Sequence, residues 1–160
     1  MSSGLANYRD LLPRGDADAL HIELDDGAIL VAGRYALIMI RESEVADSAM
    51  WYEVQSARWE GEKQELSVNW VDPARSPLVV HSSHSPMHAF MEDISEKVNR
   101  TQVLVRSIKA PNGAVITAQI RKREDGELFS VLAARGRLDD EAMELAHSLE
   151  KQLRESVGLE

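Results

Sequence analysis

The chain of 160 residues contains no cysteine, and this absence excludes several kinds of chemistry at once. Disulfide bonds, thiol nucleophiles and cysteine-based zinc or iron–sulfur sites all need a sulfur that the sequence does not supply. No apolar run reaches the roughly 18 residues that a membrane-spanning helix needs. The N-terminus also lacks the basic and then apolar pattern of a secretion signal, so we expect a cytoplasmic protein.

The common catalytic and cofactor motifs are absent as well. The sequence has no glycine-rich dinucleotide fingerprint, no phosphate-binding P-loop, no GxSxG nucleophile elbow and no HExxH zinc motif. The acidic residues before the last predicted helix, Asp139 and Asp140, are explained by helix capping. We therefore expect a protein that is not an enzyme and that carries no cofactor.

Acidic side chains outnumber basic ones, 27 to 18, which gives a formal net charge of −9. This sign disfavours nucleic acid and anionic membranes as partners. The basic residues are nevertheless concentrated in one place, because residues 102–123 contain five of them and no acid. They are Arg106, Lys109, Arg121, Lys122 and Arg123. A share of 44% apolar residues also predicts a packed core.

Alternating apolar and polar residues predict a first group of strands from Ala19 onward. Asp26-Gly27 is a typical hairpin turn, and Glu42–Ser48 is predicted as a polar loop. Ser85 is predicted as the N-cap of a helix with Pro86 in its first position. Residues 1–18 are predicted as a loose lead-in with one helical turn around Leu5–Leu12. The predicted helix is Met87–Val98. The predicted strands are 20–24, 28–32, 35–41, 50–59, 66–71 and 78–81.

A second group of elements is predicted after residue 102. Strands at 103–110, 114–122 and 128–134 form a three-stranded meander, and a helix with an apolar stripe from Leu138 to Leu153 covers one face. We place on that covered face Val103, Val105, Ile116, Ala118, Ile120, Phe129, Val131 and Ala133. The predicted organisation is a lead-in at 1–18 and a single α+β domain at 19–159, divided into 19–99 and 102–159.

Four segments resemble the strand core of bacterial pleckstrin-homology-like (PH-like) and GRAM-like domains: Gly27–Leu37, Trp51–Val54, Ala57–Trp59 and Leu66–Val68. Beyond them, the strand at Ala114–Arg123 and the terminal helix are similar to a family of uncharacterised actinobacterial proteins. The resemblance implies an antiparallel PH-like split barrel closed by a helix and extended by a three-stranded meander and a C-terminal helix. PH domains that bind phosphoinositides carry bases in the first turn, where this chain has Asp25-Asp26-Gly27, so that ligand is disfavoured.

Three histidines lie close together in the sequence. The spacing of His81, His84 and His88 would allow two or three imidazoles to converge on a metal ion. The neighbouring serines indicate caps and turns instead, and no carboxylate or cysteine completes the set. We expect surface or capping histidines and no metal, and we keep a small metal-binding protein or metal-dependent enzyme at these residues as the alternative function.

Two arginines form a weaker candidate site. Arg106 and Arg121 are predicted to share the meander face opposite the apolar one, where they would jointly hold an anion or an acidic partner. The competing interpretation is a solvated face whose arginines pair with acids of the same chain. The three tryptophans, Trp51, Trp59 and Trp70, either line a pocket or fill the core, and the core is favoured.

These patterns predict a non-catalytic PH-like module of unknown function that binds a protein or a small ligand, or that forms a homodimer. A sheet edge at Leu128–Ala134 that pairs across a two-fold axis would build such a dimer.

Overall fold

A computed structural model describes residues 8–159. It is a mixed α+β structure with antiparallel sheets and two α-helices. The strands are β1 (Leu20–Glu23), β2 (Ile29–Ala32), β3 (Ala36–Arg41), β4 (Glu44–Met50), β5 (Val54–Glu60), β6 (Glu65–Trp70), β7 (Leu78–His81), β8 (Gln102–Lys109), β9 (Val115–Lys122) and β10 (Leu128–Arg135). The helices are α1 (Met87–Thr101) and α2 (Asp140–Ser156), and short 3₁₀ turns lie at Tyr8–Leu11 and Trp51–Glu53. Among residues 8–159, no helix combines the length and apolarity needed to cross a membrane.

The chain packs as two compact units, Met1–Asn99 and Arg100–Glu160. In the first unit, β1-β2-β3-β4 form one sheet and β5-β6-β7 form another, in those orders. In the second unit the order is β10-β9-β8. That residues 19–159 behave as a single domain stays a prediction.

Strand β4 corrects the prediction of a polar loop at Glu42–Ser48. It is an edge strand that pairs with β3. Five of its seven residues are exposed, so its sequence lacks the alternation of apolar and polar residues from which a half-buried strand is predicted. Its turn is also atypical, because Glu42 and Ser43 both have positive φ, 53° and 62°, where asparagine and glycine are the usual residues. The strand predicted at 50–59 is likewise interrupted by the 3₁₀ turn Trp51–Glu53.

The main core of the first unit lies between its two sheets and helix α1. Strand β2 is buried along its whole length, which is why it is a continuous apolar run. The tryptophan question is answered in favour of the core: Trp51 and Trp70 are buried in this cluster, and Trp59 packs against it half-buried. Helix α1 contributes the side chains that recur at helical spacing, Met87, Phe90, Ile94 and Val98.

The lead-in is more ordered than the sequence predicts, at least from residue 8 onward. Tyr8 is buried with Val31, Ile38 and neighbouring residues in a second cluster, and its hydroxyl lies 3.1 Å from His21 Nδ1. Part of the predicted turn at Leu5–Leu12 lies outside the described residues. The sequence of the lead-in does not predict this packing, because the segment is short and has few apolar residues. The residues that it packs against come later in the chain.

Asp16 fastens the lead-in to the turn between β2 and β3. It is buried, and its carboxylate accepts a hydrogen bond of 3.0 Å from the backbone N–H of Arg34. The turn is tight, because the N–H of Gly33 donates to the carbonyl of Ala36 at 2.9 Å. A Cβ at Gly33 would lie 2.6 Å from Asp16 Oδ2 and 2.8 Å from the Ala36 carbonyl oxygen. Glycine is therefore required here by close approach.

The second unit confirms the predicted meander and final helix. Asp139 caps α2 by accepting a hydrogen bond of 2.8 Å from the N–H of Ala142. At the other end the N–H of Leu159 donates to the carbonyl of Arg154 at 2.7 Å, and Gly158 has φ of 78°, as in a Schellman motif. The core between the sheet and α2 includes Ile116, Ala118, Ile120, Ala142, Ala146, Leu149 and Leu153.

The predicted face of strands β8 and β10 is wrong by one residue. Leu104 and Ile108 pair with Ile120 and Ile116 and pack in the core, whereas Val103 and Val105 are 45% and 50% exposed. The register of the hairpin that joins β8 to β9 sets this arrangement, because Lys109 lies opposite Val115 and the pairing continues without a break to Leu104. In β10, the residues predicted for the covered face, Phe129, Val131 and Ala133, pair instead with Arg121, Gln119 and Thr117 on the other face.

We predict that Gly33→Ala lowers the free energy of unfolding by about 1–3 kcal/mol, because the new methyl group overpacks a site bounded by backbone. Urea denaturation measures the change. Gly61→Ala is the matched control, since the nearest atom to its Cβ is 3.9 Å away. Equal effects of the two substitutions would contradict the close-approach argument.

Candidate binding cleft

An open cleft in the first unit lies beside the turn between β1 and β2 and along strand β7. Its volume is about 270 Å³. Apolar residues line its inner part, including Leu24, Met39 and Val80, all of which are buried. Charged and polar side chains line its rim: Asp25, Asp26, Arg41 and His81. An apolar interior with a few polar groups at the rim is typical of ligand sites.

Gly27 makes the turn at the rim possible. Its φ of 93° lies in the left-handed region, which glycine adopts at little cost. The N–H of Leu24 donates to the carbonyl of Ala28 at 2.8 Å, and the N–H of Gly27 donates to the carbonyl of Leu24 at 3.0 Å. Asp26 adds a local bond, since its carboxylate accepts from the N–H of Ala28 at 3.0 Å. The predicted hairpin at Asp26-Gly27 is confirmed.

The serine-rich segment after β7 is bonded to the end of β1. Ser82 Oγ donates to the carbonyl of Glu23 at 2.7 Å, and Ser85 Oγ accepts from the N–H of Glu23 at 2.9 Å. The N–H of Asp25 donates to the carbonyl of His81 at 2.8 Å. Ser85 thus forms its hydrogen bond with β1. Helix α1 begins at Met87, one residue after Pro86. The helix therefore starts one residue later than the prediction that placed Pro86 at its first position.

Hydrogen bonds hold the two rim carboxylates in their ionised forms. The hydroxyl and then the backbone N–H of Ser83, at 2.7 and 2.8 Å, lower the pKa of Asp25. The guanidinium of Arg41 and then the N–H of Ala28 lower the pKa of Asp26. With one arginine against two carboxylates, this part of the rim carries net negative charge at neutral pH.

The structure does not bring the three candidate histidines together as a ligand set. The Nε2 atom of His81 lies 3.2 Å from a carboxylate oxygen of Glu65, and that of His88 lies 2.9 Å from a carboxylate oxygen of Glu92 on the same helix. His84 is exposed. In the part of the chain that is described, no three side chains of the usual ligand types are grouped as a metal site needs.

The two candidate arginines are also separated. Arg106 pairs with Ala118 and so lies on the face that α2 covers, whereas Arg121 alternates with Ile120 and lies on the other face. The prediction that they share a face is wrong, for the register reason given above. Arg121 is fully buried, and its guanidinium donates to Gln119 Oε1 at 3.0 Å and Thr101 Oγ1 at 2.8 Å. Burial lowers the pKa of Arg121 to about 10, so it stays protonated at neutral pH.

Sequence reasoning identified the acidic turn but missed the cleft. Asp25 and Asp26 were read as a reason against phosphoinositide binding, and His81 as a metal candidate. Arg41, Val79 and Val80 belong to no recognisable sequence motif. They line the cleft because strand pairing brings distant parts of the chain together. The exposure of Val79, 50%, is a property of the folded chain that its sequence does not reveal.

We predict that Asp25→Asn destabilises the protein at neutral pH and that the difference shrinks in acid. A lowered pKa in the folded state stabilises above the ordinary aspartate value, about 3.9, and this stabilisation is lost as the pH falls through the folded pKa. Urea denaturation midpoints at pH 7, 5 and 3.5 measure the difference. Asp18→Asn is the control, because the structure gives this exposed carboxylate no hydrogen bond among residues 8–159. A difference that is constant with pH, or equal for both variants, would overturn the assignment.

Comparison with known proteins returns little. No protein-family model matches the chain, and no curated protein matches it either. Among solved structures, the chain is similar to one described as "The crystal structure of the FERM and C-terminal domain complex of Drosophila Merlin". The two share 11% identity at a TM-score of 0.41, over 50% of this chain and 28% of that one. The aligned part thus spans about 28% of that chain's length.

Proposed function

We propose that the protein is a non-catalytic binding module whose first unit is a PH-like split barrel. The order of elements supports this proposal: a four-stranded antiparallel meander, a three-stranded one and then a helix surround one core. This is the arrangement that the resemblance of Gly27–Leu37 and the later strands implies. Binding by such a barrel depends on its rim, where the turns between strands are displayed.

The cleft beside the Asp25-Asp26-Gly27 turn is the observation that carries the proposal. It combines a volume of about 270 Å³ with buried apolar side chains inside and charges at the rim. A volume of this size accommodates one or two side chains of a peptide or a small ligand, near the lower bound of common ligand sites. A binding role follows because the buried floor supplies contact area and the rim supplies orientation.

The rim selects a cationic ligand. Asp25 and Asp26 are held ionised by their hydrogen bonds, and Arg41 offsets one of the two charges. A phosphate group would be repelled by this rim, whereas an ammonium or guanidinium group would be attracted. We therefore assign to the cleft a ligand with a basic group next to an apolar one, such as a lysine- or arginine-containing segment of a partner protein.

Peptide titration tests the assignment. Capped pentapeptides of sequence Ala-Lys-Leu-Lys-Ala and Ala-Glu-Leu-Glu-Ala are added to ¹⁵N-labelled protein, and backbone amide shifts are followed. The basic peptide is expected to shift amides at Leu24–Asp26 and Leu78–His81, and the acidic peptide is expected to leave them unchanged. Equal responses to the two peptides, or shifts that avoid both segments, would refute the proposal.

A cleft variant supplies the second arm. Val79→Lys places a competing cation at the rim, and we predict that it weakens binding of the basic peptide at least tenfold, about 1.4 kcal/mol. Val45→Lys is the matched control, because Val45 is 47% exposed on β4 of the same unit and does not line the cleft. A similar loss in both variants would show that general charge repulsion, and not the cleft, governs binding.

A further inference from the structure

Strand β8 presents an open edge in the second unit. Its eight residues, Gln102–Lys109, pair with β9 on one side, and no strand within residues 8–159 pairs with the other side. A strand edge of this kind offers a row of backbone donors and acceptors to an incoming chain. With eight residues, β8 is as long as β10, the other edge strand of its sheet, and twice as long as the edge strands β1 and β7, which have four each.

Five of the eight side chains of β8 are exposed, and two of these are basic. Val103 and Val105 are 45% and 50% exposed, and Arg106 and Lys109 are exposed. The structure gives the side chains of Arg106 and Lys109 no hydrogen bond or ion pair with any residue between 8 and 159. A structural role in a network of side chains does not explain these two cations, because no described residue forms a hydrogen bond or an ion pair with them. They lie beside exposed valines.

The charge around this edge contrasts with that of the whole chain. Strands β8, β9 and β10 contain five basic residues and no acidic one, whereas the chain carries a net charge of −9. The field at the β8 edge therefore attracts acidic groups. A second β8 strand is disfavoured as the occupant, because self-pairing would bring four bases close together and no acid on β8 could offset them.

We propose that the outer edge of β8 binds an extended, acidic segment of a partner protein by strand addition. Backbone hydrogen bonds would supply the affinity and side-chain pairs the specificity. This surface is separate from the cleft of the first unit and requires the opposite charge in its ligand.

The register of β8 defines the sequence pattern of the partner. Arg106 lies opposite Ala118 and Lys109 opposite Val115, so the two bases are on opposite faces of the sheet. Residues directly opposite each other on paired strands point to the same face. The partner strand therefore needs two acids three positions apart, one for each face, with β-branched residues beside Val103 or Val105.

The acidic strand β4 of a second copy fits this pattern less well. Glu44 pairs with Arg41 and Asp47 pairs with Met39, and because of a register shift in β4 both acids lie on one face. Asp47 is also engaged by Arg75 at 2.9 Å. A regular strand of a partner protein would place one acid on each face of the sheet. The experiment distinguishes such a partner from a second copy of this chain.

A fluorescein-labelled peptide of sequence Val-Glu-Thr-Thr-Glu-Val, read by fluorescence anisotropy with the full-length protein, tests the proposal. The pattern is palindromic, so it serves parallel and antiparallel pairing alike. We expect saturable binding that weakens with salt, and amide shifts in ¹⁵N spectra centred on Gln102–Lys109. Two control peptides, Val-Lys-Thr-Thr-Lys-Val and Val-Glu-Pro-Thr-Glu-Val, are expected to bind at least tenfold more weakly, the first through charge and the second through a lost backbone donor.

Paired charge reversals locate the site. Arg106→Glu with Lys109→Glu is expected to weaken binding of the acidic peptide at least tenfold, since both partner charges then face like charges. Lys122→Glu with Lys151→Glu changes the net charge equally at exposed positions away from the β8 edge, and is expected to change affinity less than threefold. Circular dichroism checks that both variants fold, and Val79→Lys, which disturbs the cleft alone, is expected to leave this binding unchanged.

Three results would overturn the proposal: no binding of the acidic peptide at millimolar concentration, equal binding of the lysine peptide, or equal losses in the two double variants. Light scattering after size exclusion supplies a fourth. A dimer of the unmodified protein that the Arg106→Glu, Lys109→Glu variant dissociates would identify a second copy, not a partner protein, as the occupant of the edge.

Discussion

The hydrogen bonds between the end of β1 and the segment after β7 are the constraint on which the first unit depends. Both backbone groups of Glu23 are engaged there, its carbonyl by Ser82 Oγ and its N–H by Ser85 Oγ. These residues are 59 and 62 positions apart in the chain, so each bond closes a long loop whose entropy must be offset by the surrounding core. Strand β7 lines one side of the cleft, and Ser83, the residue after Ser82, bonds the carboxylate of Asp25.

The same bonds explain how an acidic turn is tolerated. Asp25 and Asp26 are adjacent like charges, which repel each other. Each is stabilised by a different donor set, Ser83 for the first and Arg41 with the Ala28 N–H for the second. The charges remain close to solvent at the rim of the cleft, so their field acts on nearby ligands. At physiological ionic strength the field is screened beyond roughly 8 Å, and it therefore selects groups that enter the cleft and not those that pass at a distance.

Local patterns predicted local structure well. The Asp26-Gly27 hairpin, the three-stranded meander and the Asp139 cap are confirmed because each depends on residues within a few positions of one another. The predictions that failed depended on strand registers that the pattern of apolar residues does not define. Strand β4 has no buried face of its own, and the register of the β8-β9 hairpin puts Leu104 and Ile108 in the core where Val103 and Val105 were predicted.

The candidate site could likewise be predicted from the sequence only where it depends on local residues. The acidic turn was visible in the sequence, and the cleft was not, since β7 joins it through pairing with β6 and through the serine bonds to β1. Arg121 was mistaken for a surface base for a related reason. Alternation places it on one face of β9, but only the folded chain shows that this part of the face is buried and that Gln119 and Thr101 accept its hydrogen bonds.

The edge strands show where the chain resists further pairing and where it does not. Short length, bulges and charge are the usual means of protecting an edge. Strands β1 and β7 are short, and β4 has a register shift and two acids. In β8 the irregularity lies at the first residues, and the rest of the strand continues in register to Lys109. Its bases repel a second β8 but would attract an acidic strand, so the protection of this edge is selective, and a selective edge is what recognition by strand addition requires.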